Sequence, residues 1–167
     1  MNKINNKNPD RPDKVRNHKK SGEIQLRQKK YKDALVSYEK ALRLAPADGS
    51  LSMKIGDINL MIFDTTIKQT HENLKSDPDN TALKDSPKKL LQDKNDSQIE
   101  ESRRRVRLHP TNLAYKYQLG CAYLESKMVD EAIAEFQNSI RDHKYKVSSL
   151  FNLGICLRDK KMYDIAI

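Results

Sequence analysis

The chain has 167 residues, which is enough for one ordinary domain or for a short array of repeats. Hydrophobic residues make up 37% and charged residues 33%, a composition that suits an extended stack of helices better than a single large core. No stretch approaches the roughly 20 apolar residues that cross a bilayer, and the basic N-terminus has no apolar run behind it. We therefore expect a cytoplasmic protein.

The net charge of +9 is unevenly distributed along the chain. Residues 1–33 contain eleven lysines and arginines but four aspartates and glutamates, so most of the basicity lies near the N-terminus. Residues 1–14 are rich in Asn, Lys and Pro, which predicts a disordered basic arm.

Two segments, Ser21 to Pro46 and Leu119 to Lys144, share one pattern of small, aromatic and apolar residues. The matching positions are Gly22, Tyr31, Ala34, Tyr38, Ala41 and Pro46 in the first segment, and Gly120, Val129, Ala132, Phe136, Ser139 and Lys144 in the second. A third copy begins at Gly154, which lies 34 residues after Gly120.

The physical meaning of the pattern is a pair of closely packed helices. Ala34, Tyr38 and Ala41 fall at i, i+4 and i+7, which is one face of a helix. Glycine on one helix and alanine on the next lack side-chain bulk, so an aromatic ring can fill the space between the two backbones. Pro46 ends the second helix of the first pair, because proline disfavours helix in the residue before it.

This period and pattern resemble the tetratricopeptide repeat, in which an A helix and a B helix form an antiparallel pair that stacks on the next pair. The resemblance implies an all-α fold, an α-solenoid of antiparallel helix pairs wound as a right-handed superhelix. The positions taken as repeat-signature core are Gly22, Tyr31, Ala34, Tyr38, Ala41, Pro46, Gly56, Pro78, Gly120, Tyr123, Ala132, Phe136, Gly154, Tyr163 and Ala166.

The predicted organisation follows the quality of the repeats. Residues 15–80 hold two repeats, of which the second is divergent and its turn between helices is about two residues short. Residues 81–98 are an irregular linker or a degenerate helix, because Pro87 interrupts them. Residues 99–167 hold a helix, one full repeat and the start of another. We expect the array to be cut short at Ile167 and the natural protein to continue.

The resemblance also implies a partner-binding groove, because A helices line the concave face of such arrays and receive a peptide or a partner helix. The groove-facing candidates are Arg16, Lys19, Lys20, Glu23 and Arg27 in the first repeat, Met53, Lys54, Asp57 and Leu60 in the second, and Tyr117, Gln118, Cys121, Leu124, Phe151, Asn152 and Ile155 later. This set is cationic toward the N-terminus and more apolar toward the C-terminus, which would suit an acidic and hydrophobic peptide. The expected function is that of a protein-binding scaffold or adaptor.

Two alternatives stay open. The basic arm and the arginine cluster Arg103 to Arg107 could bind nucleic acid or another anionic surface, although neither has interleaved aromatic residues for base stacking. Glu100 and Glu101 precede Arg104 and Arg105 by four residues, a spacing that supports the helix itself. The chain could also be the N-terminal regulatory part of a larger protein.

The sequence contains no pattern that predicts catalysis. Its four histidines and two cysteines lack metal-ligand spacing, and it has neither a glycine-rich phosphate loop nor a nucleophile elbow. We expect no enzymatic activity, no cofactor and no metal. The expected partner is a protein or peptide rather than nucleic acid.

Overall fold

The computed structural model describes residues 11–77, 80 and 85–160, and every regular element in these ranges is an α-helix. The helices are α1 (Arg11–Arg27), α2 (Tyr31–Leu44), α3 (Gly49–Ser76), α4 (Ser86–Leu108), α5 (Leu113–Glu125), α6 (Val129–Ser139) and α7 (Lys146–Asp159). The chain divides into two compact units, Met1–Glu72 and Asn73–Ile167, called unit 1 and unit 2 below. The predicted all-α class of helix pairs is confirmed.

Both predicted helix pairs turn at a lysine in the left-handed conformation. Lys29 between α1 and α2 has a φ of 58°, and Lys127 between α5 and α6 has a φ of 62°. The amide of the next residue then donates back into the preceding helix, from Lys30 to Gln25 and from Met128 to Tyr123. The two turns are the same structure in two places, and each lies seven residues after the repeat glycine.

The core of unit 1 forms where α1, α2 and α3 meet. Ala34, Tyr38 and Ala41 of α2 are buried together with Leu51 and Ile58 of α3. These are the residues that the helical spacing placed on the inner face of α2. The apolar face of α2 that the sequence spacing predicts therefore supplies much of the core of unit 1.

The core of unit 2 draws on all four of its helices. Ile99 of α4, Leu119 of α5, Phe136 of α6 and Cys156 of α7 belong to one buried cluster. Phe136 and Cys156 have no exposed surface. Ser139 and Ser149 are also fully buried, and their hydroxyl groups hydrogen-bond to each other at 2.8 Å, which links α6 to α7.

The repeat glycines explain how closely the helices approach. A methyl group at Gly22 would lie 2.5 Å from Cε2 of Tyr38, and one at Gly120 would lie 2.8 Å from Cε1 of Phe136. Both distances are far below van der Waals contact, and both rings are buried. Each ring therefore lies directly on the backbone of the neighbouring A helix.

Several signature positions are not core. Pro46 is exposed, and Tyr31 and Gly56 are half-buried. A methyl group at Gly154 would meet no described atom within 4 Å. Pro78, Tyr163 and Ala166 lie outside the described residues.

The divergent second repeat is not a helix pair, because α3 runs without a break from Gly49 to Ser76. The turn lysines of the other pairs lie seven residues after the glycine, and Phe63 occupies that place after Gly56. A bulky aromatic residue is strongly disfavoured in the left-handed conformation. The helix therefore continues past the point where the other two A helices end.

Two predicted irregular segments are helical where they are described. Helix α1 begins at Arg11, so the last four residues of the predicted arm are helical, while residues 1–10 lie outside the description. Pro87 does not break the helix that contains it. It lies in the first turn of α4, where proline needs no amide partner, and the helix continues through residues 93–97.

Asp48 joins the helices of unit 1 at the start of α3. One carboxylate oxygen accepts hydrogen bonds from the backbone amides of Ser50 at 3.0 Å and Leu51 at 3.3 Å. The other accepts from the Lys19 ammonium group of α1 at 2.8 Å. The Ser50 hydroxyl also donates to this carboxylate. The side-chain bonds from Lys19 and Ser50 lower the pKa of Asp48 from 3.8 to about 2.

We predict that Gly22→Ala and Gly120→Ala each lower the free energy of unfolding by about 1–3 kcal/mol, since the added methyl group has to displace a buried ring. Gly154→Ala is the matched control. It should be neutral or stabilising by about 0.5–1 kcal/mol, because alanine favours helix over glycine and no described atom lies within 4 Å of the added methyl group. Thermal and urea unfolding followed by circular dichroism measures all three. Equal effects at the three glycines would contradict the close-packing interpretation.

The lowered pKa of Asp48 predicts acid sensitivity in unit 1. The carboxylate stabilises the fold above its unfolded pKa of about 3.9, and this contribution disappears as the pH falls toward 2. The expected loss is about 1 kcal/mol, since both partners are partly exposed. Asp48→Asn keeps a helix-capping oxygen but does not titrate. Its unfolding midpoint should therefore change less than that of the parent between pH 5 and 2.5, and parallel curves would argue against this role for Asp48.

Candidate functional site

The predicted groove residues of unit 2 lie on two neighbouring A helices, α5 and α7. Asn112 caps α5 by accepting hydrogen bonds from the amides of Ala114 at 3.0 Å and Tyr115 at 3.4 Å. This cap fixes where α5 begins. The described surface that carries Tyr117, Gln118 and Cys121 of α5, with Phe151 and Asn152 of α7, is called the A-helix surface below.

Tyr117 joins the two helices at this surface. Its ring stacks on Tyr145, which directly precedes α7, with centroids 4.9 Å apart and an interplanar angle of 26°. The ring also lies 5.9 Å from Phe136, the buried aromatic of α6. Tyr117 therefore contacts the core on one side and the start of α7 on the other.

A small polar network surrounds the Tyr117 hydroxyl group. The side chains of Cys121, Ser148 and Asn152 lie close enough to this hydroxyl to change its pKa. The Asn152 amide also donates to the sulfur of Cys121 at 3.9 Å. The contacts of Cys121 with Asn152 and of Tyr117 with Tyr145 connect α5 to the beginning of α7.

Burial keeps this network uncharged. Desolvation raises the pKa of the Tyr117 phenol and that of the Cys121 thiol above their ordinary values. Both groups therefore stay protonated at neutral pH, and Cys121 has little thiolate character for nucleophilic chemistry. The surface offers neutral hydrogen-bonding groups and no activated nucleophile.

An exposed apolar side chain stands beside the network. Phe151 of α7 is 70% exposed and follows Leu150, which is 50% exposed. Gln118 is exposed on α5. A surface with neutral hydrogen-bonding groups and an exposed aromatic ring can bind a partner, with the ring as the anchor.

The groove candidates of unit 1 have a different environment. Lys19 is held by Asp48, and Arg16 forms an ion pair with Asp13 at 3.0 Å on the same helix. Lys20, Glu23 and Arg27 are exposed, while Met53, Lys54 and Asp57 of α3 are half-buried. Lys19 and Arg16 therefore pair with Asp48 and Asp13, neither of which is a groove candidate.

Each arginine of the α4 cluster has a partner within unit 2. Arg104 and Arg105 both pair with Glu101, at 2.7 Å and 2.8 Å. Glu100 pairs with Arg107 at 3.0 Å rather than with Arg104. The predicted Glu101–Arg105 pair is therefore confirmed, and the predicted Glu100–Arg104 pair is wrong.

Arg103 is bound to a core tyrosine rather than to a carboxylate. Its Nε donates to the Tyr123 hydroxyl at 2.9 Å, and its guanidinium lies 5.3 Å from the centroid of that ring. The bond to Tyr123 raises the pKa of Arg103 further. All four arginines of the cluster thus have partners within the unit.

Two residues of the network, Tyr145 and Ser148, escaped the sequence analysis. Tyr145 directly precedes α7 and Ser148 lies in its first turn, where the repeat pattern specifies no residue type. The sequence signal that could have identified Tyr145 is an aromatic residue immediately before the first residue of an A helix.

The described residues contain no group of three or more His, Cys, Asp or Glu side chains that could hold a metal ion. Within the same ranges, every helix is too short or too polar to span a bilayer.

The fold defines a class of protein. Proteins of this class are built from antiparallel helix pairs in which a glycine of one helix contacts an aromatic ring of the other. The family model named tetratricopeptide repeat matches residues 20–48 and 113–141. These are the α1–α2 and α5–α6 pairs, so both pairs are tetratricopeptide repeats and the resemblance seen in the sequence is confirmed.

Solved structures agree with this fold. The crystal structure of MamA protein superposes with a TM-score of 0.53 and 17% identity, over 93% of this chain and 87% of the MamA chain. MamA 41-end from Desulfovibrio magneticus RS-1 gives a TM-score of 0.50 and 18% identity, over 92% and 89% of the two chains. A search of curated protein sequences finds no significant match.

We predict that Tyr117→Phe lowers the free energy of unfolding by about 1 kcal/mol, because it removes the hydroxyl that joins α5 to α7. Tyr145→Phe is the matched control, since it keeps the stacked ring. Urea unfolding of both variants measures the difference. Identical midpoints would mean that the hydroxyl network does not hold the two helices together.

Proposed function

We propose that this protein is a non-catalytic interaction module that binds a peptide or helix of a protein partner on the A-helix surface of unit 2. The observation that carries the proposal is the arrangement around Tyr117. Its ring stacks on Tyr145, its hydroxyl group lies near Asn152, and Phe151, the residue before Asn152, is exposed.

Two contributions to the free energy of binding support this surface as the site. Binding costs less entropy where the receiving side chains are already ordered, and the Tyr117 network is ordered before any partner arrives. An exposed phenylalanine loses most of its contact with water when a partner covers it, which contributes about 1.5–3 kcal/mol. The neutral amide of Asn152 can also orient a peptide backbone by hydrogen bonding.

The charge distribution supports a protein partner over a nucleic acid for unit 2. The arginines that could have contacted phosphates are paired with Glu100, Glu101 and Tyr123. Binding a polyanion there would first require those pairs to break, which weakens any gain from counterion release. An uncharged surface with one aromatic anchor suits an apolar segment with free backbone hydrogen-bonding groups.

The test is a selection from a displayed peptide library on the purified full chain, followed by affinity measurement for the selected peptides. Phe151→Ala should weaken binding by about tenfold or more, because it removes the anchor. Leu150→Ala is the control. This side chain is also exposed and apolar but lies about 100° round the same helix, so its loss should change affinity less than about twofold.

Two outcomes would contradict this location of the site. Peptides that bind the parent and both variants with equal affinity would place the binding surface elsewhere. Peptides that lose affinity with Leu150→Ala rather than Phe151→Ala would move the site to the neighbouring face of α7 that carries Leu150.

A further inference from the structure

Unit 1 contains a cavity that the repeat pattern does not anticipate. It has a volume of about 320 Å³, near the lower end of the range for small-ligand sites. One wall is the turn between α1 and α2 with the first turn of α2, and the other is the middle of α3 from Ile62 to Gln69. The second wall exists because α3 does not break at Phe63.

The first wall is strongly cationic. Lys29, Lys30 and Lys32 line the cavity together with one acidic residue, Asp33. The three lysines are exposed, and within the described residues none of them forms an ion pair. The lining therefore carries a net charge of two positive units that unit 1 does not neutralise.

The fold does not require this charge, as the equivalent turn of unit 2 demonstrates. Lys127 there has the same left-handed conformation as Lys29, but Met128, Val129, Asp130 and Glu131 follow it. That turn is acidic overall, as expected at the start of a helix, where the helix dipole favours negative side chains. In unit 1 the same backbone carries lysines that the dipole disfavours.

The remaining lining suits an anionic group on an organic carrier. The hydroxyl protons of Thr65 and Thr66 are used within α3, where they donate to the carbonyl groups of Met61 and Ile62 at 2.8 Å. The remaining side-chain donors among the lining residues are the lysine ammonium groups, the Gln69 amide and the Tyr31 hydroxyl. Tyr31 and Ile62 provide an aromatic and an aliphatic surface for the carrier.

We infer that this cavity is a binding site for a phosphate monoester. The phosphoryl group carries a charge of about −1.5 to −2 at neutral pH, which matches the excess of two positive charges on the lining. Lysine binds phosphate as a point charge and does not need the planar fork of arginine. The site belongs to unit 1 and is independent of the peptide surface proposed for unit 2.

The experiment is a titration of the full chain with phenyl phosphate at low salt, followed by two-dimensional amide NMR. Residues 29–33 and 62–69 should shift together and saturate. Inorganic phosphate and phenylacetate are titrated in parallel. Tighter binding of phenyl phosphate identifies an ester as the ligand, and equal binding of inorganic phosphate identifies the free anion with the same lysine chemistry. Equal binding of phenylacetate would overturn the inference.

Charge-matched variants separate a site from general basicity. The triple variant Lys29→Asn, Lys30→Gln and Lys32→Gln should weaken phenyl phosphate binding by about tenfold or more. Asparagine is used because it tolerates the left-handed conformation. The control variant Lys127→Asn, Lys88→Gln and Lys89→Gln removes the same charge from unit 2 and should leave the affinity within about twofold. An equal loss in both variants would overturn the inference.

Two further readouts do not depend on a variant that folds. Binding to the parent should weaken between pH 7 and 5, because the ligand gains a proton near pH 6 while lysines stay charged. A flat profile would contradict the dianion as the bound form. A single-stranded oligonucleotide that shifts residues 29–33 while phenyl phosphate does not would refute the site in favour of polyanion binding.

Discussion

The contact between a glycine backbone and an aromatic ring is the constraint on which both units depend. Tyr38 lies against Gly22 and Phe136 against Gly120, each closer than any side chain at the glycine would permit. With the ring in this position, the flanking alanines bring the B helix onto the A helix, and the rest of the core follows. Ala34 and Ala132 are completely buried because the helices approach at these points.

Repetition of this contact does not make the two units alike. The turn that closes each helix pair requires one residue in the left-handed conformation, which Lys29 and Lys127 supply. At the corresponding point of α3 the residue is Phe63, so the helix continues and no second pair forms in unit 1. Phe63 at the turn position is our explanation for this continuous helix, which forms a wall of the lysine-lined cavity.

Charge has different uses in the two units. In unit 2 the arginines of α4 are held by Glu100 and Glu101 of the same helix, and Arg103 is held by Tyr123 of α5. In unit 1 Lys19 is used in the same way through Asp48, but the lysines of the α1–α2 turn have no such partner among the described residues. The number of charges in the sequence does not distinguish these cases, because the distinction depends on which carboxylate lies close to each cation in the fold.

The sequence by itself determined the helix pairs, their turns and the small and aromatic residues between them. These features depend on spacing within about 35 residues, where local geometry and periodicity leave little freedom. It also located Tyr117, Phe151 and Asn152 on A helices. Only the tertiary structure decided that Tyr145 and Ser148 complete the Tyr117 network, that α3 stays unbroken, and that three lysines face a cavity. These outcomes depend on contacts between helices and on the conformational cost of one residue at one turn, which no periodicity records.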